Sequence, residues 1–202
     1  MPLVSLRKKR IALVRMSAIP VIFLAVFVRP GWSRESTLAF WVELAGYLFL
    51  LSGLTVRIWS IFYIGGRKSH ALVTEGPYSI CRNPLYLGTF LLTIGVGLCF
   101  ENILMLIAVF LILVPVHFLT AKLEERHLLE LFPAAYPEYA RQVPRFWPKF
   151  SNYQSHESIT VHIRVIRRIA IDTMGVLLLP EIEDLLEVLH QHNIIPTLLR
   201  FP

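Results

Sequence analysis

The sequence predicts an all-α integral membrane protein, with about four transmembrane helices, two of them joined as a helical hairpin, followed by C-terminal amphipathic helices. Three observations carry that expectation. Of the 202 residues, 55% are hydrophobic and only 17% charged, and the mean hydropathy is +0.58, values far from those of an ordinary water-soluble domain. The apolar residues gather into stretches of the length that a bilayer core demands. The net charge of +6 comes from basic residues beside those stretches. An anionic membrane surface is their natural partner, and no basic and aromatic surface suited to nucleic acid accompanies them.

The first expected span is residues 11–28, preceded by Arg7-Lys8-Lys9-Arg10 and interrupted by Arg15 and Pro20. It is longer than a signal-peptide core, and no small-residue cleavage site follows it. Pro30 and Gly31 make a turn, Trp32 suits the membrane interface, and a second apolar run covers 38–64 with length enough to tilt. Gly65-Gly66 breaks that helix. Residues 67–84 are too polar to span and carry turn signals at Gly76-Pro77 and Asn83-Pro84. Two further apolar helices are expected at about 85–100 and 103–119; with only Glu101-Asn102 between them they form an antiparallel hairpin.

From Lys122 the chain becomes charged and amphipathic, ending in the proline-marked stretch VPRFWP at 143–148. Beyond it, 159–179 is apolar but holds Arg164, Arg167, Arg168 and Asp172, which reads as an interfacial or protein-packed helix. Pro180 ends or kinks it, and 181–192 reads as an acidic amphipathic helix. The expected organisation is a membrane domain at 1–150 and a helical extension at 151–202.

Basic residues set the orientation. With four spans, Arg7 to Arg10, then Arg67, Lys68 and Arg82, then Lys122, Arg126, Arg141, Arg145 and Lys149 fall on one side, against Arg29 and Arg34 on the other. The positive-inside rule puts both termini and the central loop in the cytoplasm, so the loop and the segment after the last span share a compartment. The two cysteines, Cys81 and Cys99, give no disulfide framework.

Two polar patches on that side carry the chemistry. One runs from His70-Ala71-Leu72-Val73 through Glu75-Gly76-Pro77-Tyr78 to Arg82-Asn83-Pro84-Leu85-Tyr86; the other holds Glu124-Glu125, Leu128, Phe132, Tyr136, Tyr139 and Val143 to Phe146. Polar groups beside a bilayer need partners, and loops fixed on helices commonly hold ligands. Glu124 and Glu125 each have a leucine four residues on, so at least one of them points inward. Taken singly, His70 reads as a surface-loop histidine, Tyr78 and Tyr86 as interfacial anchors, and Arg57 as a cation reaching the headgroups.

The segments GPYSICRNPLYLG and EERHLLELFPAAYPEYARQVPRF are similar to the isoprenylcysteine carboxyl methyltransferase family and to its relatives among membrane phospholipid methyltransferases. The resemblance covers roughly residues 57–148. It implies an S-adenosylmethionine-dependent transferase with a cytoplasmic cofactor pocket and a lipid or prenylated acceptor entering from the bilayer. Carried over by position, the cofactor contacts are His70, Ala71, Leu72, Val73, Tyr78, Asn83, Pro84, Leu85, Tyr86 and Glu124. Asn83 stands where the family usually has histidine, and Pro133 where it usually has glycine. The physical reading agrees: an acid for the ammonium, donors for the polar oxygens, and aromatic or apolar walls for the adenine. No metal and no nucleophilic side chain is required, because the sulfonium methyl is already activated.

In carboxyl-methylating relatives an arginine stands one turn before the first glutamate, where it holds the acceptor carboxylate; here that residue is Thr120. Arg57, a cation at the end of an apolar helix, or Arg82 replaces it as the catalytic candidate that contacts the acceptor. The favoured reaction is O-methylation of an isoprenylcysteine-like carboxylate. The alternatives are N-methylation of a phospholipid amine, a sterol-type reductase using NADPH, and a membrane scaffold without turnover.

Overall fold

Long runs of Leu, Phe, Ile and Ala favour helix wherever the backbone must satisfy its own hydrogen bonds, and the chain follows that pattern. The structure, a computed structural model, describes residues 16, 19–20, 22–30, 36–65, 71–100, 103–159, 161 and 163–201. The helices are α1 (Thr37–Ile64), α2 (Pro77–Ile80), α3 (Pro84–Cys99), α4 (Ile103–Leu131), α5 (Tyr136–Gln142) and α6 (Ile163–Gln191), with a 3-10 turn at Phe150–Asn152. Residues 22–27 are also helical. The exception to an all-helical chain is a short parallel ladder in which β1 (Val28–Pro30) pairs with β2 (Leu199–Phe201), Val28 opposite Leu199.

α1 and α4 are long and apolar enough to cross a membrane, and only 28% and 22% of their most apolar windows are buried. A core helix of a soluble domain is covered nearly all round. These helices instead turn Phe40, Trp41, Leu48, Phe110 and Leu111 outward, as a lipid-facing surface does. α3, with 16 residues, is about 24 Å long and falls short of the hydrocarbon thickness. Of the four expected spans, two therefore meet the length requirement among the described residues. Of the first expected span, residues 16, 19–20 and 22–28 are described and 11–15, 17–18 and 21 are not; Arg7 to Arg10, Gly31, Trp32, Arg34, Gly66, Arg67, Lys68, His70 and the Glu101-Asn102 link also lie outside the described residues.

Two boundaries differ from expectation. α4 does not stop where its apolar run stops but stays helical to Leu131, because Ala121 to Leu131 is built of strong helix formers such as Ala, Lys, Leu, Glu and Arg. The tail is one helix rather than two: α6 runs through Pro180, giving up one backbone donor without ending.

The chain divides into two compact units. The first comprises residues 1–51, 91–120 and 176–202. Its core is Phe100, Met105 and Val109, with Leu24, Val96, Leu113 and Leu186 packed against them. α1 and α3 approach through glycine: a Cβ on Gly95 would stand 2.8 Å from the Leu50 backbone nitrogen and 2.9 Å from the Gly46 carbonyl oxygen. Backbone cannot yield as a side chain can, and small residues are what let apolar helices pack this closely. Gly95→Val is expected to cost about 1–3 kcal/mol, read as a lower unfolding midpoint in detergent. Gly175→Ala, where an added Cβ meets nothing within 4 Å, should leave that midpoint unchanged or raise it.

The second unit comprises residues 52–90 and 121–175. Tyr63, Val73 and Tyr78 form one buried cluster with Trp59 and Phe62. Tyr136, Tyr139 and Val143 form another with Leu72, Leu128 and Phe132. Both sequence patches lie in this unit.

Candidate functional site

The site begins at a turn that favours glycine. Gly76 has φ +58°, and a Cβ there would stand 2.4 Å from the Tyr63 ring. Pro77 then starts α2, whose four residues are all buried. The Ser79 hydroxyl donates to the Gly76 carbonyl at 2.7 Å and accepts from the Gln154 amide at 3.0 Å. The chain leaves α2 extended and pairs with the stretch after α5: Arg82 N donates to Pro144 O at 2.9 Å, Asn83 N to Arg145 O at 3.2 Å, and Lys149 N to Ile80 O at 2.9 Å.

Side chains close the same joint. Glu125, only 7% exposed, accepts from Asn83 Nδ2 at 2.6 Å, from Arg145 Nη2 at 2.8 Å, and from Arg145 Nε at 3.1 Å to each carboxylate oxygen. Arg82 Nη1 stands 3.5 Å from Glu125 Oε2. One carboxylate thus binds the Asn83-Pro84 turn, α4 and the 143–146 stretch together, and its hydrogen bonds hold the Arg145 guanidinium above its ordinary pKa.

The neighbouring glutamate is placed differently. Glu124 is half-buried and accepts from the Tyr86 hydroxyl at 2.9 Å. Close by, the Tyr78 hydroxyl is buried and has no hydrogen-bond partner among the described residues. Burial, and then the Glu124 charge, push that phenol well above its ordinary pKa, so it stays protonated and is a donor. A buried donor without a partner is costly unless a ligand meets it. The Tyr78 carbonyl accepts from the Tyr139 hydroxyl at 2.8 Å, which fixes the loop against α5.

Of the expected contacts, Leu72 packs on the Tyr136 and Tyr139 cluster and Val73 on Tyr78. Asn83, Pro84 and Tyr86 are buried, Leu85 is half-buried and Ala71 is exposed; His70 is outside the described residues. The second unit therefore brings Leu72, Val73, Tyr78, Tyr86 and Glu124 into one neighbourhood. Asn83 and Arg82 are turned toward Glu125. Arg57 donates from Nη1 to Thr89 Oγ1 at 2.6 Å, and its Nη2 stands 3.9 Å from Asp172. Thr120 is buried in the first unit and bonds its own helix, donating to Val116 O at 2.7 Å.

Glu125 is the residue that sequence reasoning passed over in favour of Glu124. The signal lay in Leu128, which packs inward while Leu129 is exposed. Leu128 is three residues from Glu125 and four from Glu124, so both acids lie on its face. An open depression of about 460 Å³, lined by Leu72, Thr74, Glu75, Gln154, Ser155 and His156, adjoins the loop. It shares Leu72 with the site, but Tyr78, Tyr86, Glu124 and Glu125 do not line it.

The joint has a pH signature. Burial pushes the Cys81 thiol from 9.0 up to about 11, with Asn83 and Arg82 pulling the other way. Burial also raises Tyr139. Above pH 9 the unfolded thiol loses its proton while the folded one keeps it, so folding binds more protons and stability falls with rising pH. The contribution is whole below pH 9 and is lost between 9 and 11, by about 3 kcal/mol in total for Cys81. Unfolding midpoints recorded against pH should fall across that window, and Cys81→Ala should flatten the decline.

Comparison with known proteins points the same way. The sequence model of the phospholipid methyltransferase family matches residues 41–135. The chain is 33% identical over 139 residues to the cobalt-zinc-cadmium resistance protein CzcN of Cupriavidus metallidurans, covering 69% of this chain and 64% of that one. It is 31% identical over 166 residues to the nickel-cobalt-cadmium resistance protein NccN of Alcaligenes xylosoxydans xylosoxydans, covering 80% and 78%. Over 76 residues it is 39% identical to the protein-S-isoprenylcysteine O-methyltransferase of Saccharomyces cerevisiae, covering 38% of this chain and 32% of the yeast protein. The chain thus spans just under two thirds of the first relative and about a third of the yeast enzyme. No solved structure matches it.

Proposed function

The chain belongs to the phospholipid methyltransferase family, and from that premise we propose that it transfers a methyl group from S-adenosylmethionine to a lipophilic acceptor at the membrane. O-methylation of an isoprenylcysteine-like carboxylate is the favoured form. One observation carries the reading: Glu124 and the Tyr78 hydroxyl, which has no hydrogen-bond partner among the described residues, stand together beside Tyr86, on a scaffold closed by Glu125. An acid next to a buried donor with apolar neighbours suits a ligand that carries an ammonium, hydroxyls and an aromatic ring.

When bound, S-adenosylmethionine supplies an already activated methyl, so the chain has positioning to do rather than acid or base chemistry. Glu124 pairs with the ammonium, and the protonated Tyr78 hydroxyl donates to an oxygen. Leu72, Val73 and Tyr86 wall the ring and Ala71, Pro84 and Leu85 complete the surround, while Asn83 acts through Glu125; His70 is carried over by position in the sequence alone. Water is kept out by the Tyr136 and Tyr139 cluster behind Leu72. For a carboxylate acceptor Arg57 is the better of the two cations. Arg82 serves Glu125, whereas the 3.9 Å contact of Arg57 with Asp172 is loose enough for an incoming carboxylate to compete.

Thr120 in place of the family arginine, together with the family's own description, supports a second reading, N-methylation of a phospholipid amine. Incubating the purified protein with radiolabelled S-adenosylmethionine and a total lipid extract tests both, and the labelled product distinguishes a methyl ester from a methylamine. Saturable binding of S-adenosylmethionine by calorimetry supports the transferase. Binding of NADPH instead supports a reductase, and binding of neither supports a scaffold. The names of the two metal-resistance relatives state a setting and no reaction, so extracts from cells grown with and without cobalt or zinc belong in the assay. The pocket and both chain termini are read as cytoplasmic, by the distribution of basic residues.

A further inference from the structure

Between α5 and α6 the chain holds three outward aromatic rings that the site does not use. Trp147, Phe150 and Tyr153 are 85%, 72% and 52% exposed. They do not stand on a loose loop. Lys149 N donates to Ile80 O at 2.9 Å, Asn152 Nδ2 to Gln142 O at 2.8 Å, and Gln154 N to Ser79 Oγ at 3.0 Å. A backbone fixed in this way keeps large apolar rings in contact with whatever surrounds the protein, a costly arrangement in water.

The neighbouring ring contacts state the level at which the stretch lies. Phe146 meets Phe90 of α3 edge-on at 5.4 Å between centroids, and Tyr153 lies 6.0 Å from Trp59, in the last turns of α1. Phe90 lies about two turns into α3, whereas Trp59 is near the end of α1, so it is the Tyr153 contact that puts the stretch beside a helix end, where a bilayer changes from acyl chains to headgroups and where tryptophan and tyrosine gather. Lys149 is exposed between Trp147 and Phe150, and it pairs with no carboxylate among the described residues. Ring, cation, ring is the pattern that an anionic lipid surface accepts.

We propose that residues 147–153 are an interfacial anchor: Trp147 and Phe150 seat at the boundary between headgroups and acyl chains, and Lys149 takes an anionic lipid phosphate. The anchor holds the 144–146 stretch, and with it Arg145 and Glu125, at the membrane surface. It rests on the reading that α1 crosses a bilayer, and its test separates the two.

Spin labels on Trp147→Cys and Phe150→Cys, in the full chain reconstituted into phosphatidylcholine vesicles with and without phosphatidylglycerol, report collisions with oxygen against those with a water-soluble nickel chelate. Leu48→Cys, on the exposed face of α1, is the reference for lipid. The background from Cys81 and Cys99, both buried, is measured on the unsubstituted chain. At 147 and 150 oxygen collisions should exceed nickel collisions several-fold; phosphatidylglycerol should raise that excess and Lys149→Glu abolish the rise. Nickel-dominated collisions at 147 and 150 with an oxygen-rich label at 48 overturn the anchor and leave the span intact. Nickel dominance at all three overturns both. Mutual spin broadening at 147 and 150 without oxygen access makes a second copy the occupant and likewise overturns the anchor.

Discussion

Glu125→Ala is expected to lower stability by about 3 kcal/mol. The buried carboxylate is the common acceptor for Asn83 and Arg145 and stands 3.5 Å from Arg82. Removing it leaves two guanidinium groups beside one another and reduces the Asn83 amide to its 3.3 Å hydrogen bond to the Arg145 carbonyl, and the remaining charges then repel rather than attract. Arg145 keeps 38% of its side chain in solvent, which moderates the loss. Thermal unfolding in detergent gives the number. Glu125→Gln, which keeps an acceptor oxygen and loses the charge, should fall between wild type and alanine. Glu125→Leu combined with Arg145→Met should be milder than the sum of the single changes, because the pair leaves together. A midpoint for Glu125→Ala indistinguishable from wild type would show that the joint does not hold the fold.

Glu124→Ala should give the opposite signature. Half-buried at the next position, it contributes little to the joint, so the unfolding midpoint should move by less than about 1 kcal/mol. Binding of S-adenosylmethionine, by contrast, should weaken by about 30-fold or more, the usual consequence of deleting one partner of a desolvated charge pair. Calorimetric titration reads it directly. Glu124→Gln should lose nearly as much if, as proposed, it is the carboxylate's charge rather than its shape that meets the ammonium. Tyr86→Phe, which removes the 2.9 Å hydrogen bond to Glu124, should weaken binding by about 3–10-fold. Undiminished binding in Glu124→Ala would move the cofactor site elsewhere. The contrast between two adjacent acids, one acting on stability and the other on binding, discriminates more sharply than either result alone.

Much of the architecture was legible in the chain. The runs at 38–64 and 103–119 correspond to α1 and to the apolar part of α4, because helix in an apolar run is a local outcome: each backbone donor finds its acceptor four residues back, whatever lies outside. The Gly76-Pro77 turn was equally local, since the positive φ at Gly76 admits few other residues. The two family segments were readable as a pair, though their distance in space was not.

What the sequence by itself determined is therefore where helices form, which face lipid could cover, and which residues carry charge. The tertiary structure decided which of Glu124 and Glu125 is enclosed. Neighbours on a helix point about 100° apart, and only the arrival of Asn83 and Arg145, each from a distant part of the chain, selects one of them. It likewise decided that Asn83 serves Glu125 and that the Tyr78 hydroxyl is left without a partner among the described residues. Those outcomes depend on packing between segments 20 to 62 residues apart, and no local propensity or hydrophobic period encodes such a meeting.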